Sequence, residues 1–160
     1  MNASACLYQF GILKRIRSDG NPIIWMDVRQ SGRVLFGPRP ESLVPEITPE
    51  MLFHALEREL GYLREEISDK AESEWRNMPS YRAYAVLTVC RILYSLEKDD
   101  VVSKERAARW ALRSLPEEWH PVIRQALRFD DTRRSPAIAL HPIKQFIEFA
   151  GTQLSAGPAA

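Results

Sequence analysis

The chain has 160 residues, 45% of them apolar and 27% charged, which fits one soluble globular domain with a sizeable core. Its 22 basic and 21 acidic residues leave a formal charge of +1 at pH 7, which excludes bulk steering toward nucleic acid or an anionic membrane surface. The two cysteines, Cys6 and Cys90, are too few and too far apart for a disulfide framework or a metal site.

Met1 to Gln9 has no basic stretch followed by an apolar core, and no window approaches the roughly 20 apolar residues of a membrane span, so the cytoplasm is the expected location. From Pro22 the run IIWMDVRQSG predicts a short helix that Gly32 ends, after which Arg33 to Phe36 turns extended. The segment GPRPESLVPEI holds too many prolines for a continuous helix or a central strand and reads as an ordered linker. Thr48, Pro49 and Glu50 supply a capping hydroxyl, a first-turn proline and an acid at the positive end of a helix. Met51, Leu52, Ala55, Leu56, Leu60, Leu63 and Ile67 then recur at spacings of three and four, the apolar stripe of a long helix.

Ser68 to Pro79 is polar apart from Ala71, Trp75 and Met78, and reads as an excursion between helices. Ser80 is placed to cap a second helix through Glu97, whose largely apolar circumference marks it as central. A third helix is predicted from Ser103 to Arg113, a fourth from Pro121 and a fifth near Pro142. The pattern predicts an all-α fold, a helical bundle of about five helices behind an irregular, partly extended amino-terminal segment. Expected boundaries are 1–47 for an amino-terminal remnant and proline-rich linker, 48–154 for the bundle and 155–160 for a disordered tail.

The sequence contains no Walker loop, GxGxxG, HExxH or CxxC, and no Asp-x-Asp pair of the kind that two-metal nucleotidyl transfer requires. Asp99-Asp100 and Asp130-Asp131 read as solvated loop acids, and His54, His120 and His141 show no metal spacing. Arg113 and His120 match the loose arginine-then-histidine spacing of helical HEPN ribonucleases, although Pro116 between them spoils a shared helix face. Arg91, surrounded by apolar residues, needs either an acidic partner or a ligand. Trp75 is either a plug over the bundle end or a flat wall for a sugar ring. Lys104 follows the cap Ser103, where the helix dipole disfavours a cation; it is either simply solvated or offset by an anionic ligand.

Three stretches carry a resemblance: SGRVLFGPRPESLVPEITPEMLFHAL, YAVLTVCRILYSL and VVSKERAARWALRSLPEEWHPVIRQAL. Together with the spacing of Leu115, Pro116, Pro121, Val122 and Ile123, they resemble the carboxy-terminal helical domain of the streptomycin/spectinomycin 3''-adenylyltransferases from about Arg29 to Leu127. In that family an amino-terminal nucleotidyltransferase domain binds ATP and magnesium through Gly-Ser and Asp-x-Asp motifs and supplies a carboxylate base. AMP then passes from ATP to a hydroxyl of the aminoglycoside.

Neither motif occurs in this sequence, so the resemblance implies a substrate-side domain with no catalytic or metal-ligating residue of its own. By itself such a domain is expected to transfer no AMP and to hold neither ATP nor magnesium tightly. The implied partners are a nucleotidyltransferase domain or chain and an aminoglycoside-like small molecule, with no role for nucleic acid or membrane. The resemblance puts a nucleotide-reaching lysine at Lys104 and places Arg91 and Trp75 on the substrate side of the cleft. A departure lies in WRNMPSYRAY, which lacks the acids of the family's drug-recognition loop and so the charge-assisted bonds that a polycation would use. Two alternatives remain: a non-enzymatic helical interaction protein with an exposed apolar patch, or a HEPN-like partner of a separate nucleotidyltransferase resting on Arg113 and His120.

Overall fold

The computed structural model describes residues 3–9, 12–18, 20–34, 36–68, 77–132 and 138–157, with backbone alone for 3–9, 12–18 and 130–132. The chain divides into two compact units, Met1–Ala55 and Leu56–Ala160.

In the first unit, strands β1 (Ala3–Gln9) and β2 (Ile12–Ser18) form an antiparallel hairpin in which Ala3 faces Ser18 and Gln9 faces Ile12. The segment expected to be irregular and partly extended is extended in these two strands, which pair regularly. Helix α1 (Pro22–Ser31) starts where the sequence predicts: Asn21 Oδ1 accepts the Ile23 amide at 3.0 Å, and Pro22 occupies the first turn. Gly20 precedes it at a φ of 68°, and a Cβ there would lie 2.6 Å from the Trp25 ring, so both the turn and the packing require glycine. The proline-rich linker holds one helical turn, α2 (Pro40–Leu43). Arg29 secures that linker by donating to the carbonyls of Glu41 at 3.0 Å and Val44 at 2.9 Å.

Helix α3 (Pro49–Ile67) begins as predicted, with Thr48 Oγ1 accepting the Met51 amide at 3.2 Å, and it passes from the first unit into the second. Its residues Leu56, Leu60, Leu63 and Ile67 are buried in the second unit at spacings of four, three and four. Helix α4 (Pro79–Lys98) is the central element: it packs on α5 (Lys104–Ser114), α6 (His120–Thr132) and α7 (Leu140–Ala156), and is buried around most of its circumference from Ala83 to Ser95. Cys90 lies there with no exposed surface, and burial pushes its thiol well above the usual range.

Three predicted boundaries shift. Ser80 does not cap α4; Pro79 opens the helix with Met78 at the capping position and no side-chain bond, because the fixed φ of proline sets the first turn without one. A single 3-10 turn, Glu117–Trp119, lets α6 start at His120 rather than Pro121. Helix α7 begins at Leu140, earlier than its proline suggests, and runs to Ala156. The five bundle helices are all present, and α1 and the one-turn α2 are additional.

Arg82 reaches from α4 to the Ile138 carbonyl at 2.9 Å, holding the entry to α7 against the bundle. The Arg64 guanidinium crosses Gly151 of α7, where a Cβ would collide with it, to form a two-pronged pair with Glu148 at 3.0 and 3.1 Å. Among the described residues, no helix is long and apolar enough to cross a membrane.

Candidate functional site

On α4, the residues Tyr81, Tyr84, Thr88, Arg91 and Ser95 recur at spacings of three and four and so share one face. On α3, Glu59, Tyr62 and Glu66 do the same. The two faces meet, for Arg91 Nη2 lies 3.6 Å from Glu59 Oε1, and Tyr62 and Glu66 both act electrostatically on Tyr81. The facing sides of the two helices therefore carry a seam of tyrosines and charges.

The seam opens into a cleft of about 410 Å³ lined by Tyr62, Ser80, Tyr81 and Tyr84. The Tyr81 and Tyr84 rings stack at 5.5 Å with 26° between their planes, as their i,i+3 spacing allows. Burial first, then Tyr62 and the Glu66 carboxylate, push the Tyr81 hydroxyl far above its ordinary value of 10.0. Burial and the Glu59 carboxylate raise Tyr84 as well, against opposing pulls from Thr88 and Arg91. Both phenols stay neutral at any physiological pH and act as hydrogen-bonding groups rather than bases.

Helix α5 brings a cation to this wall. Ser103 Oγ accepts the Arg106 amide at 3.3 Å and fixes the helix start, so Lys104 is its first residue. Lys104 Nζ then stands 3.8 Å from the centroid of the Tyr84 ring, a cation–π contact at a helix end that by itself disfavours positive charge.

Of the residues singled out in the sequence, Lys104 stands over the Tyr84 ring, and the charge of Arg91 acts on the same tyrosine. The acidic partner that Arg91 requires is Glu59, with the two side chains only 21% and 17% exposed. Trp75 lies outside the described residues. Arg113 and His120 fall on different helices, and His120 Nε2 lies 3.3 Å from the Leu115 carbonyl. Tyr62, Tyr81, Glu59 and Glu66 were not anticipated, although their three-and-four spacing is present in the sequence. Among the described residues, no group of three or more histidine, cysteine, aspartate or glutamate side chains is arranged to hold a metal ion.

The fold and the cleft together define a helical-bundle domain with a tyrosine-walled cleft. The family described as "Aminoglycoside adenylyltransferase, C-terminal domain" matches residues 42–151, more than half of the chain, and the chain belongs to it. Among curated proteins, "Aminoglycoside (3'') (9) adenylyltransferase" of Klebsiella pneumoniae is 30% identical over 107 residues, covering 65% of this chain and 36% of the relative. The protein of the same name from Shigella flexneri gives the same figures, and that of Rhizobium radiobacter is 28% identical. The chain spans about a third of the length of these relatives. Among solved structures, a spectinomycin adenyltransferase, AAD(9), from Enterococcus faecialis, solved with ATP and spectinomycin, has the same fold at a TM-score of 0.68 and 16% identity. That likeness covers 91% of this chain and 54% of the other.

Proposed function

We propose that these 160 residues form the substrate-side helical domain of an aminoglycoside adenylyltransferase acting in the cytoplasm, with the tyrosine cleft as the ligand wall and Lys104 as its nucleotide-facing cation. The observation that carries the reading is the placement of Lys104 against Tyr84 at the cleft, in a segment matched to that family. A nucleotidyltransferase domain, in the same polypeptide or in another chain, supplies the Asp-x-Asp carboxylates, magnesium and the base. ATP, when bound by that domain, supplies the AMP group. The residues of this chain orient the acceptor: the tyrosine faces pack on its ring, and neutral phenols and Ser80 offer it hydrogen bonds. Lys104 balances phosphate charge, while the Glu59–Arg91 pair keeps the seam in register.

Two preparations test this: the chain alone, and a chimera in which residues 42–151 replace the matching segment of the Klebsiella pneumoniae relative. Each is given ATP, magnesium and spectinomycin or streptomycin. The chimera is expected to transfer AMP and the chain alone to transfer none. Transfer by the chain alone, or a folded chimera that neither binds drug nor transfers, overturns the reading.

One observation favours a second role for the first unit, protein interaction: Phe36 is 99% exposed, Leu43 66% and Ile24 59%. In the present reading its partner is the nucleotidyltransferase domain. A chain that stays monodisperse and binds no such domain in size-exclusion with light scattering removes that role.

A further inference from the structure

A second cavity, of about 320 Å³, lies where the last turns of α3 meet the middle of α7, lined by Arg64, Ile67, Ser68, Lys144, Ile147 and Glu148. It shares no described lining residue with the tyrosine cleft. One face of each helix builds it. Arg64, Ile67 and Ser68 stand at i, i+3 and i+4 on α3, and Lys144, Ile147 and Glu148 stand at the same spacing on α7. Ile67 and Ile147 are buried and give the cavity its apolar base. Gly151, four residues beyond Ile147, leaves the room that Arg64 needs, since a Cβ there would collide with the guanidinium. The Arg64–Glu148 pair is 42% and 67% exposed and so adds little to stability as a surface bridge.

Charge decides what such a cavity takes. Glu148 spends both carboxylate oxygens on Arg64, at 3.1 Å from Nε and 3.0 Å from Nη2, so the two are neutral as a unit. With Lys144 the lining then carries one net positive charge. The Nη1 edge of Arg64 has no acceptor among the described residues, and a guanidinium holds enough donors to serve two carboxylates at once. From these groups we infer that the cavity is a binding site for a small apolar monocarboxylate. Its acid group joins Lys144 and the Nη1 edge of Arg64, the Ser68 hydroxyl offers a further donor, and its hydrocarbon end packs on Ile67 and Ile147. One negative charge balances the lining. A phosphate dianion would bring an excess charge beside Glu148, and a neutral ligand would gain no charge-assisted bond. The volume lies at the small end of the roughly 300–1,000 Å³ of small-molecule sites, which suits an acid of about six carbons.

The test uses the full chain with isotope-labelled isoleucine methyl groups, titrated at constant ionic strength with 4-methylpentanoate, with its neutral amide 4-methylpentanamide, and with inorganic phosphate. The carboxylate is expected to shift the Ile67 and Ile147 signals saturably while that of Ile123, buried on α6, stays in place. The amide and phosphate are expected to bind at least fivefold more weakly. Lys144→Met, at a partly exposed position, should weaken the carboxylate about fivefold, the loss of one charge-assisted bond. Arg64→Gln releases Glu148 and should abolish saturable binding, whereas the double variant Arg64→Gln with Glu148→Gln keeps the net charge and should recover part of it. No shift at either isoleucine overturns the site. So does amide or phosphate binding as tight as that of the carboxylate, affinity retained in Lys144→Met or Arg64→Gln, or no recovery in the double variant.

Discussion

Lys104 Nζ and the Tyr84 ring, from the first turn of α5 and the second turn of α4, meet at 3.8 Å and close one side of the tyrosine cleft. The contact joins two helices at a partly exposed site. Its energetic share in the fold is therefore small and its share in ligand binding can be measured apart from it. Replacing Lys104 by Met keeps most of the stem and removes the charge. Stability is expected to fall by no more than about 1 kcal/mol, the range of a partly exposed cation–π pair. In the chimera the KM for ATP should rise about tenfold. Thermal melts and initial rates check the two halves, and an unchanged KM would count against a nucleotide role.

The Glu59–Arg91 pair is a different case, since its side chains are 17% and 21% exposed and the N···O separation of 3.6 Å is too long for a strong hydrogen bond. Removing Glu59 alone, as Glu59→Leu, leaves the guanidinium partly buried and unpaired, with an expected cost of about 2–3 kcal/mol. The double change Glu59→Leu with Arg91→Met should recover most of that loss. Urea denaturation of wild type, the two single variants Glu59→Leu and Arg91→Met and the double variant measures the coupling, and independent, additive effects would show that the pair contributes nothing.

Tyr81 and Tyr84 make stability depend on alkaline pH. Both are raised in the folded state above the ordinary 10.0, so the native protein holds protons that the unfolded chain has released. Their contribution is complete below pH 10 and is lost as pH rises from there toward the folded values. Absorbance titration at 295 nm should show two late-titrating tyrosines, and urea midpoints should fall above pH 10 less steeply in Tyr81→Phe. Five tyrosines titrating together near 10 would contradict this.

In the first unit, Gly20→Ala places a methyl group 2.6 Å from the Trp25 ring at a φ of 68°. Backbone strain and displacement of a 9% exposed indole act in the same direction, for an expected loss of about 1–3 kcal/mol. Tryptophan fluorescence should redshift at low urea while the helicity of the bundle persists. A spectrum unchanged from wild type would mean the turn tolerates a side chain.

The bundle was legible because its signals are local and redundant: Thr48 and Ser103 cap as read, and Leu56, Leu60, Leu63 and Ile67 form the stripe their spacing implies. Boundaries set by proline alone were harder to place, since Pro79 opens α4 without a capping hydroxyl and a 3-10 turn moves the start of α6 back to His120. At the cleft, Lys104 and Arg91 stand out as charges in unfavourable settings. Tyr62, Tyr81 and Glu66 do not, because a tyrosine or glutamate on a helix face has no sequence mark until a second helix is laid against it. Which face of α3 meets which face of α4 is a tertiary fact, and the Glu59–Arg91 pair depends on it.

Cys90 sits at the middle of α4 with no exposed surface and a thiol held protonated by its surroundings. Only the thiolate reacts with disulfide reagents or maleimides, so this sulfur is silent for as long as the helices around it stay closed. The domain therefore contains its own opening clock. In a Cys6→Ser background, the rate at which a thiol reagent modifies Cys90 reports how often α4 is uncovered, and a ligand that seals the tyrosine cleft would slow that clock without touching the sulfur.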